Sequence, residues 1–219
     1  MRVVGSAILL AWAAILPAAA QVPANASSLD RAAQKSYSEC VPDPESYLAL
    51  SFQDFDQGIR PLADGSRQEA GWREINNQEG CQAAAAMLIS QWRDRHSAGL
   101  HPTLQSFMAF HEGQIRAQGG DYAGAIPLIE AGRPAFADPA GQAYVDALLA
   151  FLRSDRDALI AARDRLLAVP EPPNWAEQQR AYKEQAGQDM KWPRNIEATD
   201  SLVRCFGKPY SAAAQRECS

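Results

Sequence analysis

Histidines, cysteines and carboxylates are the side chains with which this 219-residue chain could hold a metal, attack a carbonyl or move a proton. There are three histidines, His96, His101 and His111. His96 and His101 stand on either side of Gly99, a helix end, and His111 sits beside Glu112 on a neighbouring rather than a shared helical face. No H-E-x-x-H occurs, and no motif links a histidine to an activated Ser or Cys. The spacing therefore points to no metal site and no cofactor, and His111 reads first as an ordinary helix residue. Glu74 with Glu79, or Asp54 with Asp56, are the pairs that could be nominated for hydrolysis of a polymer. That chemistry needs two carboxyls about 5 to 9.5 Å apart, one of them with a raised pKa. Each of the four also reads as a solvent-facing charge. Gly119-Gly120 follows a helix and lacks the lysine of a phosphate-cradling loop.

The four cysteines take their meaning from the chain's first twenty residues. Arg2 precedes the apolar run VVGSAILLAWAAILP, and Ala18-Ala19-Ala20 offers the small residues of a secretory cleavage site before Gln21. Residues 1–20 are expected to be an export signal and 21–219 a single helical domain. The compartment is then the periplasm or the cell exterior, with no stable membrane insertion once the signal is removed. In such an oxidising setting Cys40, Cys81, Cys205 and Cys218 are expected to form two disulfides. Of three possible pairings, Cys40–Cys81 with Cys205–Cys218 ties back the N-terminal segment and staples the tail. Zinc is disfavoured because no C-x-x-C occurs.

Composition removes further classes. A chain with 47% apolar and 21% charged residues is neither disordered nor a multi-span membrane protein. A net charge of −5 argues against a nucleic-acid partner, because phosphate binding needs concentrated Lys and Arg.

The elements that must position these groups read as helices. Leu29–Ser38 can form a short one, and Tyr47, Leu48, Phe52, Phe55 and Ile59 recur on one helical face. Pro61–Ser66 reads as a loop, followed by a short helix with Trp72 and Ile75. CQAAAAMLISQWRDRH then directs Cys81, Ala84, Ala85, Leu88 and Trp92 inward. LQSFMAFHEGQIRAQ buries Leu104, Phe107, Met108 and Ile115 and ends at Gly119-Gly120. Asp121 caps YAGAIPLIEAG, in which Pro127 predicts a kink. Asp138-Pro139 starts the next helix, burying Tyr144, Leu148, Phe151 and Leu152. Ser154 and Asp157 have capping-box spacing ahead of Leu159, Ala162, Leu166 and Leu167. Beyond PEPPNW come a polar-faced helix from Trp175, an ordered loop with Trp192 and Pro193, and two short helices separated by Gly207. Trp175, Tyr182, Trp192, Phe206 and Tyr210 read as a small satellite core or as an exposed recognition cluster. Strand patterns are almost absent, so the class is all-α.

One internal repetition rises above this background. GGDYAGAI and RSDRDALI place Asp121 and Asp155 34 residues apart, the period of a stacking helix–turn–helix unit. Gly113, Gly119 or Gly120, Tyr122 and Ala125 match the small, small, aromatic and small positions of the tetratricopeptide motif. Ala158 and Pro170 echo the next unit, and Trp72, Cys81 and Ala84 a divergent upstream one. The chain thus resembles the tetratricopeptide-repeat family over residues 68–170, with 171–219 as a C-terminal cap. Where the second unit's glycine belongs, Asp146 or Ala147 stands instead.

The resemblance implies stacked antiparallel hairpins whose first helices present a ligand-binding surface. Carried onto this chain, that surface holds Arg73, Asn76 and Asn77, then His111, Gln114 and Arg116, then Gln142 and Asp146. It also implies a protein or peptide partner. The expectation is an exported binding or scaffold module without catalysis. The alternatives are a carboxylate-dependent hydrolase of a cell-envelope polymer and an immunity or inhibitor protein covering an exported toxin or enzyme.

Overall fold

The computed structural model describes residues 35–61, 67–187 and 189–218, so the expected leader lies outside the described residues. The chain is all-α apart from one short hairpin of strands. The N-terminal elements are α1 (Tyr37–Cys40), α2 (Pro44–Leu48), α3 (Phe52–Gln57), β1 (Ile59–Pro61), β2 (Arg67–Glu69) and α4 (Trp72–Asn76). Five longer helices follow: α5 (Gln82–His96), α6 (Pro102–Gln118), α7 (Tyr122–Gly132), α8 (Pro139–Leu152) and α9 (Arg156–Leu167). A single 3₁₀ turn, Arg133–Ala135, joins α7 to α8. The C-terminal part holds α10 (Trp175–Ala186), α11 (Ile196–Arg204) and α12 (Tyr210–Ala214).

The long helices stack as antiparallel pairs, α6 against α7 and α8 against α9, with α5 packed on α6. The 34-residue period is visible in their hinges. After α6, Gly119 N–H donates to Ile115 (3.1 Å), Gly120 N–H to Ala117 (3.0 Å) and Asp121 N–H to Arg116 (2.9 Å). After α8, Arg153 donates to Leu149 (3.0 Å), Ser154 to Phe151 (3.0 Å) and Asp155 to Ala150 (2.9 Å). Each aspartate then caps the following helix, accepting from Gly124 N–H or Ala158 N–H at 3.0 Å. These bonds satisfy carbonyls and amides that a helix end leaves orphaned. Gly113 lets α6 approach α7: a Cβ there would lie 2.7 Å from Ile129 Cγ1. Its counterpart one period later is Ala147, which is fully buried, whereas Asp146 bridges Arg133 and Arg165 at 2.8 Å each.

Two apolar clusters result. One joins α6–α9 to the C-terminal helices through Phe110, Ile129, Leu148, Leu152 and Leu159. The other gathers the N-terminal elements around Phe55, Ile75, Leu88 and Trp92, with Phe55 stacked on the Trp92 ring at 4.8 Å. Disulfides Cys40–Cys81 and Cys205–Cys218 join as the favoured pairing anticipated.

Several local expectations change. The face from Tyr47 to Ile59 is broken between α2 and α3, where Ser51 caps α3, and Ile59 pairs with Glu69 across the β-hairpin. Within the described part of the predicted Leu29–Ser38 helix, Ser36 is a cap and α1 runs from Tyr37 to Cys40. Helix α7 continues through Pro127. Asp155, not Ser154, caps α9, because Ser154 is turned into the left-handed region at φ 58°. Leu167 is exposed rather than inward.

The repeated hinge makes a measurable prediction. Gly120 holds the same place at φ 81°, where glycine carries no steric cost. Ser154→Gly is expected to stabilise the chain by about 0.5 kcal/mol, the relief of left-handed strain less the added freedom of the unfolded chain. Gly120→Ala is expected to cost about 1 kcal/mol. Urea titration checks both signs. The same titration of Cys→Ser pairs should show larger losses, about 4 kcal/mol for the 41-residue loop and about 3 kcal/mol for the 13-residue loop.

Candidate functional site

Two of the polar residues singled out on the first helices, Arg73 and His111, meet at a third that the sequence presents as an ordinary surface charge. Asp56 ends up with no solvent exposure. Its Oδ1 accepts from His111 Nδ1 (2.8 Å), Trp72 Nε1 (3.0 Å) and Arg73 Nη1 (3.3 Å), while Oδ2 accepts from Gln57. Arg73 also lies over the Trp72 ring, 4.1 Å from its centroid. Burial alone would push the Asp56 carboxyl up. The hydrogen bond and charge of His111, with Arg73 and Trp72, outweigh it and hold the carboxyl at about 2. An ionised Asp56 can only accept, so the proton on that edge of the imidazole sits on Nδ1.

Glu112, one residue on, is buried as well and faces the opposite way. It accepts from Arg93 and from Arg116 Nε at 2.9 Å, and Arg116 continues to Asp121 at 3.1 Å. Arg116 is therefore engaged by two carboxylates of the fold. Gln114 donates to the hydroxyls of Tyr144 (3.0 Å) and Tyr210 (3.5 Å). Gln142 accepts from Arg133 at 2.8 Å and donates to the Phe136 carbonyl. Asn77 donates to Glu69 at 2.8 Å beside the strand hairpin. The six candidates thus fall at five separate places, and only Arg73 and His111 converge. The other histidines serve other elements: His96 bonds the Leu48 carbonyl at 3.0 Å, and His101 Nδ1 accepts from Thr103 N–H at 3.3 Å, capping α6. Of the nominated carboxylates, Asp56 is buried in the cluster above and Glu74 accepts from the Tyr47 hydroxyl at 3.4 Å. Asp54 accepts from the Ser51 hydroxyl at 2.7 Å at the start of α3, and Glu79 is exposed.

The C-terminal segment decides what remains open. Helix α11 packs on α8 and α9, and α12 reaches back to α6. The backbone N–H of Tyr210 donates to Tyr122 Oη at 2.8 Å, and the Ser201 hydroxyl donates to the Ala213 carbonyl at 2.8 Å. The chain itself therefore covers part of the face formed by its first helices. Beside this cover runs a groove of about 590 Å³. Phe107, Phe136 and Ile196 supply apolar wall, Tyr182 stands at its edge, and Asp138 and Arg194 are among its charges. Of the late aromatics, Trp175 and Trp192 pack edge-to-face at 5.0 Å and Phe206 and Tyr210 pack on Phe151, whereas Tyr182 stays exposed. Phe136, Arg194 and Ile196 did not stand out as binding residues, because the groove joins positions more than fifty residues apart.

The fold and these sites define an all-α chain of stacked helix pairs with a disulfide at each end. Compared with known protein families, curated proteins and solved structures, it shows no significant match.

The Asp56 cluster predicts a pH dependence. A carboxyl depressed from 3.8 to about 2 contributes stability that is fully present above about pH 4 and lost as pH falls through 2. The contribution is on the order of 2 kcal/mol. Asp56→Asn is expected to lower stability at pH 7 by about 2–4 kcal/mol and to flatten the decline between pH 4 and 2. Denaturation free energies measured across that interval check it, and equal slopes in both chains would contradict it.

Proposed function

We propose that the protein is an exported binding module of tetratricopeptide-like hairpins, and that it holds a peptide segment of a protein partner in the groove beside the C-terminal cover. The groove carries this reading. Its aromatic and aliphatic walls suit an apolar side chain, and charges of both signs flank them. Those charges form exposed pairs: Arg194 lies 3.9 Å from Asp138, and Arg216 donates at 3.2 Å to Glu197, which also accepts from Lys191. The side chains of Arg194, Asp138, Arg216 and Glu197 are 43–56% exposed. Exposed pairs of this kind contribute little to folding and are readily exchanged for charges on a ligand. Two disulfides agree with an oxidising compartment outside the cytoplasm.

The hydrolase alternative gains nothing from Asp56, which is held ionised by His111 and Arg73 rather than raised for proton donation.

A photo-crosslinking side chain at Tyr182, on the groove edge, tests the proposal against the same group at exposed Leu167 on α9. The expected outcome is a discrete adduct with a protein of the native envelope from position 182 and none from 167. Identical products from both positions, or none from either, would remove the groove as a binding site.

A further inference from the structure

Next to the groove lies a smaller, partly open cavity of about 210 Å³, lined by residues of α6, α8, α11 and α12. Its polar lining is Gln114, Gln118, Tyr144, Tyr210 and Arg216. Tyr144 and Tyr210 are 8% and 5% exposed. Each phenol oxygen accepts from Gln114, yet among the described residues neither hydroxyl donates to an acceptor. Two buried O–H donors that line a cavity are costly unless something there accepts from them.

The rest of the lining has the same sign. Among the described residues it contains no carboxylate, and Arg216 lines the wall shared with the groove. Glu197 pairs with its guanidinium from the groove lining. The Arg216 backbone lies at φ 58°, a left-handed conformation that costs a non-glycine residue about 1–2 kcal/mol. Its neighbours hold it there: Arg216 N–H bonds Ala213, Glu217 N–H bonds Ala212, and Cys218 is tied to Cys205. Strain maintained beside a cavity is a feature of ligand clamps. Burial pushes the Tyr144 phenol up to about 12, and burial with the nearby Tyr144 raises Tyr210 too, so both hydroxyls keep their protons.

We propose that this cavity binds a carboxylate, which accepts from the Tyr144 and Tyr210 hydroxyls and faces Arg216 at the rim. The carboxylate belongs either to a small free acid or to the end of a peptide lying in the adjoining groove. The proposal goes beyond the peptide-binding function and can be tested without a peptide.

Succinate, neutral succinamide, N-acetyl-Leu-Phe and its C-terminal amide are titrated into the disulfide-intact chain. The readout is NMR of ¹³C-labelled tyrosine rings. Binding of an acid with a dissociation constant of about 10 mM or tighter is expected, at least about tenfold tighter than its amide. Succinate binding identifies a free acid, and selective binding of the dipeptide acid identifies a chain terminus. Tyr144→Phe and Tyr210→Phe should each weaken the acid about tenfold while the chain stays folded, since each deletes a donor lacking a protein acceptor and leaves Gln114 the other phenol oxygen. If a ring variant misfolds, Arg216→Gln, at a half-exposed side chain, should produce the loss instead. Equal binding of acid and amide, no shifts at about 50 mM, or acid binding unchanged in the folded variants would overturn the proposal and leave ordered water as the partner of the phenols.

Discussion

A carboxylate without solvent is the constraint around which the N-terminal half is arranged. Removing Asp56 from water costs several kcal/mol unless charge and hydrogen bonds replace the lost hydration. The compensation comes from its neighbour Gln57, from Trp72 and Arg73 on α4, and from His111 on α6. These partners cannot be supplied unless α3, α4 and α6 occupy their observed places. The apolar contacts beside them are less directional, and the Cys40–Cys81 bond adds a covalent limit. Asp56 thus joins the N-terminal elements to the first helix of the stacked pairs.

The C-terminal half uses a different device. Two hinges of the same geometry, centred on Gly120 and Ser154, return the chain so that α7 and α9 lie against α6 and α8. Such a stack exposes an apolar edge at its end, which needs a cover. Here α11 and α12 provide it, with Tyr210 and Phe206 packed on Phe151 and the Cys205–Cys218 bond closing the segment. Because the cover reaches α6, it converts an open face into a groove and a smaller cavity. The surface left open is consequently narrower than the full row of polar residues on the first helices.

Much of the fold was legible in the sequence. Local rules placed Asp121 and Asp138 at helix starts, put Leu148 and Trp92 inside, and made 34 residues a period. The site was less so. Arg73 and His111 stood out as polar residues on helices, but Asp56 looked solvent-facing because nothing nearby in sequence announces its burial. Its donors Trp72, Arg73 and His111 lie 16, 17 and 55 residues away. Gln114, Arg116 and Gln142 were legible as candidates, yet their functional groups are engaged within the fold.

The sequence by itself determined the long helices, the caps at Asp121 and Asp138, the repeated hinge and the balance of cysteines, since each depends on residues within one or two turns or on a simple count. Only the tertiary structure decided which carboxylate is buried, which polar groups are consumed, and which helix face stays open. Those outcomes depend on desolvation, and a group's solvent is removed by residues far from it along the chain. Tyr210 shows the difference: its neighbours predict a short helix, but only the return of that helix to α6 brings it, with Tyr144, to the lining of the smaller cavity.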